Sequence, residues 1–254
     1  MKIYHLVSAA YMLCCFTACA NDHKEQATTT KAETQHEADN IPPARANSIQ
    51  FSRYKGNIKT VTFIKSEDAY RNDADEWVIK DTGMQYTNKY NPEGYIVFTE
   101  ISYRGTSLGT STIAYDENKN SIRTTTMAVS NSKGISRTYI IDDYTTIDST
   151  FNIKDNREIL ESITKTEYIK HLGNSRTTTW EYENNKMTKT RTETSEYTIQ
   201  GDTLFNTYSS ADGKKHSYKM ISLEKDKKGN PLKIIFLTDP SSAPTIHVLR
   251  YEYY

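Results

Sequence analysis

Apolar and polar residues alternate through Ile58-Lys-Thr-Val-Thr-Phe-Ile64 and again through Tyr95-Ile-Val-Phe-Thr-Glu-Ile-Ser-Tyr103. A period of two sends successive side chains to opposite faces and predicts strands. Turn-forming residues recur at Arg104-Gly105, Asp116 to Asn120, Asn131 to Gly134, Asp142-Asp143, Lys154 to Asn156, Leu172 to Asn174, Asn184-Asn185, Gly201-Asp202, Ala211 to Gly213, Lys228 to Asn230 and Pro240 to Ser242. Between them lie runs rich in Thr, Ile, Val and Tyr, and no window carries a sustained helical stripe. The pattern predicts an all-β fold: an antiparallel meander of successive hairpins in a curved, largely single-layer sheet, with a half-barrel as its more closed form. Lys65 to Asp81 is charged and irregular and fits a short helix or a long hairpin loop. Lys186 to Thr194 is polar on both faces, so that stretch is either wet on both sides or a charged edge.

Hydrophobic residues make up 36% of the 254, and tyrosine alone supplies 19. With a mean hydropathy of −0.74, Tyr and Thr must provide much of the half-buried area, which fits a sheet with modest burial. The amino terminus is different. Met1-Lys2 is a short basic lead, Ile3 to Phe16 is mostly apolar, and Thr17-Ala18-Cys19 closes the segment. That is the grammar of an export signal, and it is too short for a spanning helix. Its ending resembles the lipobox of bacterial lipoproteins, with Phe16 in place of the usual leucine. The resemblance implies a signal peptide over 1–18 and lipid attachment at Cys19. All three cysteines lie in this segment, so the body can hold neither a disulfide nor a cysteine-based zinc site. Ala20-Asn21-Asp22 resembles the surface-export signals of Bacteroidetes-type lipoproteins.

Residues 19–48 offer almost nothing apolar to bury and read as a disordered polar tether. The body, 49–254, has the length of one all-β domain. Without Lys2 the exported chain would carry 31 basic against 32 acidic residues, a balance that leaves no electrostatic footprint for nucleic acid. The expected setting is the cell envelope, lipid-anchored, at the outer membrane.

Asp226-Lys-Lys-Gly-Asn-Pro before Leu232-Lys-Ile-Ile-Phe, with Arg250-Tyr-Glu-Tyr253 closing the next strand, resembles the YD repeats of the RHS-like family. Tyr90-Asn-Pro-Glu-Gly94-Tyr-Ile and Tyr115-Asp116-Glu-Asn-Lys-Asn120-Ser-Ile are further approximate copies. The resemblance runs from Lys59 to Tyr254 and fades between Ile159 and Thr194. It implies a stacked antiparallel sheet used as a shell or binding surface, without catalysis.

Sites of chemistry are scarce in the sequence. Gly105-Thr-Ser107-Leu-Gly109 matches the G-x-S-x-G nucleophile elbow, but Ser111 to Tyr115 reads as a strand where that motif needs a helix. His171, His216 and His247 could each serve as a base, and nothing ties any of them to Ser107. The histidines lack metal-ligand spacing, Asp73-x-Asp75-Glu76 lacks the pattern of a calcium loop, and no cofactor or metal is expected. Aromatic side chains remain. Trp180 and Tyr182 share one strand face, as do Tyr251 and Tyr253, and either pair could stack on a glycan or receive a protein ligand; each could equally be the sheet's own packing ladder. The functional expectation is a non-catalytic envelope lipoprotein whose sheet binds or scaffolds. A half-barrel carrier of a lipid or other hydrophobic ligand is the alternative.

Overall fold

The computed structural model describes residues 43–48, 52–74, 76–169, 174–200, 203–210, 213–238 and 244–254. The signal segment and Cys19 lie outside these residues, as do His171 and the turns at Gly201-Asp202 and Pro240 to Ser242. Strands β1 (Ile58–Arg71), β2 (Trp77–Tyr90), β3 (Ile96–Tyr103), β4 (Thr106–Tyr115), β5 (Ser121–Met127), β6 (Ser132–Asp142) and β7 (Thr145–Lys154) form the first half. The second half is β8 (Arg157–Tyr168), β9 (Ser175–Glu183), β10 (Lys186–Gln200), β11 (Thr203–Ser209), β12 (Lys215–Lys225), β13 (Pro231–Leu237) and β14 (Thr245–Tyr253). Each strand pairs with the next in sequence, and β1 pairs with β14 to close a 14-stranded antiparallel barrel.

The expected meander is therefore present, but the sheet is neither open nor a half-barrel. Closure comes from Val61 to Ser66 of β1 running in unbroken register against Tyr251 to Ile246 of β14. An open sheet would leave both ladders unpaired at its edges, and closure removes both edges at once. The irregular stretch from Lys65 to Asp81 is the outer half of a long hairpin, with register shifts at Lys65/Ser66 and Glu67/Tyr70. Bulges of this kind bend a strand. Beyond the turn, Trp77 packs with Ile221 and Leu237 against the buried Ile235 and Ile246 on the outer face of β13 and β14.

Three turns share one frame: Asn91 to Tyr95, Asp116 to Asn120 and Asp226 to Asn230. In each, the first residue's amide donates to the fifth residue's carbonyl, and the fourth residue's amide donates to the first residue's carbonyl. The first side chain accepts from the fifth amide at 2.9, 2.9 and 2.8 Å. The fourth position has positive φ, at Gly94 (86°), Lys119 (66°) and Gly229 (85°). Asp or Asn at the first position and Gly at the fourth are what such a turn selects. All three turns join an even strand to the next odd one, so they lie at the barrel end where both termini lie. The repeated motif in the sequence marks alternate hairpins at this end.

The segment before β1 crosses that end. Pro43, the first described residue, is already buried, inside the stretch read as a tether, and a 3-10 helix spans Pro43–Arg45. The Ala44 amide donates to the Asp143 carbonyl in the β6–β7 turn, and Arg45 pairs with the Asp143 carboxylate. Asn47 donates to the Glu93 carbonyl at 2.7 Å, and the Ser48 hydroxyl accepts from the Ile96 amide at 3.1 Å. On the far side of the mouth Tyr54 is buried edge-on to Tyr251, and Lys55 meets Asn230. The β6–β7 and β12–β13 turns are six strands apart in the ring, so these contacts strap the mouth from one wall to the other.

Asn230 fastens the strap. Only 1% exposed, its side chain accepts from the Lys55 amide at 2.7 Å and donates to the Lys55 carbonyl and the Tyr253 hydroxyl, both at 2.8 Å. The Tyr253 hydroxyl donates to Asp226, and burial with that bond pushes the phenol up to about 12. Asn230→Ala would remove the partners of the Lys55 amide and carbonyl and of the Tyr253 hydroxyl at a part-buried site. We expect a loss of about 2 kcal/mol, read as a lower denaturation midpoint with an unchanged denaturant slope.

Candidate functional site

Register alone divides the wall into an inner and an outer face. Val61, Phe63, Ile113, Leu204, Met220, Ile234 and Leu249 form one buried cluster with Tyr54. Nine strands of a single layer, β1 to β4 and β10 to β14, contribute to its packing, and such a face becomes buried only by curling upon itself, so this is the lumen side. The outward positions on the same strands include the polar Thr62, Thr87, Lys89, Glu100, Thr112, Lys219, Arg250 and Glu252, interrupted by Ile64, Phe98, Phe205 and the apolar patch of Ile221, Ile235, Leu237 and Ile246. From β11 round through β14 to β4 the barrel is apolar inside and mixed outside.

Across β6 to β10 the pattern is inverted. Three inward rows run Thr138, Asp148, Thr164, Thr179, Arg191; Ser136, Thr150, Ser162, Glu181; and Ile140, Thr146, Thr166, Thr177, Glu193. Apart from Ile140, every member is a hydroxyl or a charged group. Hydroxyls pair between neighbouring strands at Ser136–Thr150 (3.3 Å) and Thr164–Thr179 (3.2 Å), and Ser111–Thr125 (2.8 Å) continues the ladder into β4 and β5. The outward face of the same arc carries Ile135, Tyr139, Ile147, Phe151, Leu160, Ile163 and Trp180. Small hydroxyl side chains inside supply polar partners. The inner wall of this arc is the candidate binding surface.

Its charges are held in defined ways. Thr138 donates to Asp148, yet removal from water pushes that carboxyl above the usual carboxylate range, with Arg123 pulling the other way. Burial likewise raises Glu161, next to Ser162. The Arg191 Nε is buried without a hydrogen-bond partner and faces the Glu181 carboxylate at 3.6 Å. On neighbouring arcs the Asn206 Oδ1 and His247 Nδ1 are also buried and unmatched. A raised carboxyl pKa means the folded state holds its proton more tightly, so the benefit is complete below the ordinary carboxylate pKa and is lost as pH rises through the raised one. Asp148→Asn should therefore match the parent chain at low pH and exceed its stability at pH 7, a difference that denaturation at both pH values measures.

The aromatic candidates fall on different faces. Trp180 and Tyr182 point outward from β9, opposite Thr190 and Met187 of β10. Tyr251 and Tyr253 point inward at the strapped end, where the Tyr251 hydroxyl donates to the Pro231 carbonyl and Tyr253 is held by Asp226 and Asn230. The two pairs are not brought together, and the second is engaged in internal packing. Ser107 lies in β4, just past the Arg104-Gly105 turn and beside a register shift, where the nucleophile elbow would need a helix. Among the described residues Lys186 to Glu193 pairs with β9 alone, and β11 meets β10 only from Thr194 onward, so this run presents a charged edge on its β11 side. Inward polarity from β6 to β10 was written in the Ser/Thr alternation, but without the closure no residue pattern says which face is the lumen. Among the described residues no group of three or more His, Cys, Asp or Glu side chains could hold a metal ion.

No family model and no curated protein matches the chain. Among solved structures, a porin-like protein from Bacteroides uniformis is similar over 77% of this chain and 96% of that chain, at 11% identity and a TM-score of 0.38. So slight a likeness carries no functional argument.

Proposed function

We propose that this chain is a non-catalytic, lipid-tethered barrel of the cell envelope that stands in water and binds a polar, hydroxyl-rich ligand on the inner wall of β6 to β10. The observation that carries the reading is the set of hydroxyl and charged residues in the three inward rows, broken by Ile140 alone. A glycan offers donors and acceptors of the kind that wall can match; an acyl chain does not, because unmatched hydroxyls and carboxylates against hydrocarbon are costly. The apolar lumen residues give a lipid carrier little support, since Val61, Ile234 and Leu249 are already buried against one another.

Standing in water is supported by the charged positions of the outer wall, although its β6 to β10 arc is apolar. In a barrel embedded all round in lipid, Lys89, Glu100, Lys219 and Arg250 would meet hydrocarbon, at about 2–4 kcal/mol for each Lys or Arg near the bilayer midplane. Envelope location and the anchor rest on the amino-terminal sequence, with Cys19 as the attachment point. Native mass spectrometry of the full chain from its own envelope tests the ligand class. We expect no lipid beyond the anchor, and a retained second lipid that detergent strips away would favour the carrier instead.

A further inference from the structure

The corner where the strap leaves the barrel is unusually apolar. Tyr139 (45% exposed), Ile141 (57%), Tyr144 (50%) and Ile169 (48%) cluster about the β6–β7 turn. Ile141 is the extra residue of a bulge between the Ile140–Thr146 and Asp142–Thr145 pairs, and the Tyr168 amide donates to the Tyr144 carbonyl, which brings Ile169 beside Tyr144. Single exposed hydrophobics are ordinary, but four at one corner mark a contact surface. The same turn receives the strap through Ala44 and Arg45.

We infer that this corner rests in the head-group region of the bilayer that carries the tether. The inference builds on the lipid anchor of the proposed function. Twenty-three residues separate Cys19 from Pro43, so even fully extended the strap emerges no more than about 80 Å from the acylated residue. The surface nearest the emerging chain is therefore the one offered to the membrane. Tyrosine and aliphatic side chains are suited to the boundary between head groups and acyl chains. A tether also turns docking into an intramolecular event at an effective concentration near millimolar, so a small patch suffices. The mouth crossed by the strap then faces the membrane, and the opposite mouth faces the medium.

The cysteine content makes the test selective, since the exported body has no thiol besides Cys19. Tyr144→Cys and, as a control on the outer wall of β12, Ser217→Cys are spin-labelled in the full acylated chain. Collision with a water-soluble nickel chelate is compared on phosphatidylcholine vesicles and in detergent. On vesicles the label at 144 should lose about tenfold in nickel accessibility while oxygen accessibility rises, and the label at 217 should not change. Equal nickel accessibility at both sites, on a chain shown by mass to be acylated and vesicle-bound, overturns the docking and leaves the anchor intact. Shielding at 144 that appears without vesicles and grows with protein concentration overturns it in favour of a second copy. A chain with no acyl mass on Cys19 that leaves the vesicles removes the anchor, and this inference with it.

Discussion

Leu249→Ala is expected to destabilise the barrel by about 3 kcal/mol, whereas Arg250→Ala, one residue along, should cost less than about 0.5 kcal/mol. Leu249 is 1% exposed and sits opposite Phe63 on the inner face, in the cluster that Tyr54 caps. Removing its branched side chain loses transfer free energy and leaves a cavity that a closed wall cannot collapse to fill. Arg250 points outward opposite Thr62 and loses only contacts that water replaces. Equilibrium urea unfolding of both variants reads the difference. Similar losses at the two positions would mean that the inner and outer faces had been exchanged.

Acidification gives the second large effect. His247 is buried on the inner face, its ring 4.3 Å from that of Phe236 and its strand position opposite Lys65. Burial, with the Lys65 charge adding to it, lowers the imidazole from 6.5 to about 3. The folded state thus keeps His247 neutral while the unfolded chain takes up a proton below pH 6.5, so stability is lost as pH falls from about 6.5 towards 3. Between pH 7 and pH 4 this one group should remove about 3 kcal/mol. Asp148 and Glu161 act with the opposite sign over part of that range. The clean measurement is therefore the difference between the parent chain and His247→Gln, whose stability should lack this component. Parallel pH profiles for the two would show that His247 is protonated in the folded barrel.

Hairpins were legible in the sequence because their turns have local causes. Asp226, Gly229 and Asn230 are chosen by a frame of five residues, and the same frame reappears at Asn91 and Asp116, two further reversals at the strapped end. Closure has no such local signature. It depends on Phe63 meeting Leu249 across nearly the whole chain, and neither strand's composition distinguishes a partner from an edge. The face of each strand suffered the same limit. Trp180 and Tyr251 each alternate with polar neighbours, yet one points outward and the other into the lumen, because the arcs of the barrel are patterned in opposite senses. The run from Lys186 to Thr194 is polar on both alternating faces, and composition alone does not say that β9 borders all of it while β11 meets it only at Thr194.

That opposite patterning also joins the two functional readings. The proposed hydroxyl-lined lumen would admit water, and Lys89, Glu100, Lys219 and Arg250 place charge on the outer wall. The apolar corner at Tyr139, Ile141 and Tyr144 adjoins the outward apolar residues of β6 to β9.

The most direct test of the central claim, a barrel that stands in water on a tether, is sedimentation velocity of the full-length chain carrying Cys19→Ser, exported through a conventional cleavable signal in place of residues 1–18, in detergent-free buffer. The account predicts one folded, monomeric, soluble species with the strand-rich circular dichroism of the acylated protein. A chain that aggregates without detergent, and that sediments with a bound detergent belt when detergent is supplied, would contradict it and place the outer wall in the bilayer.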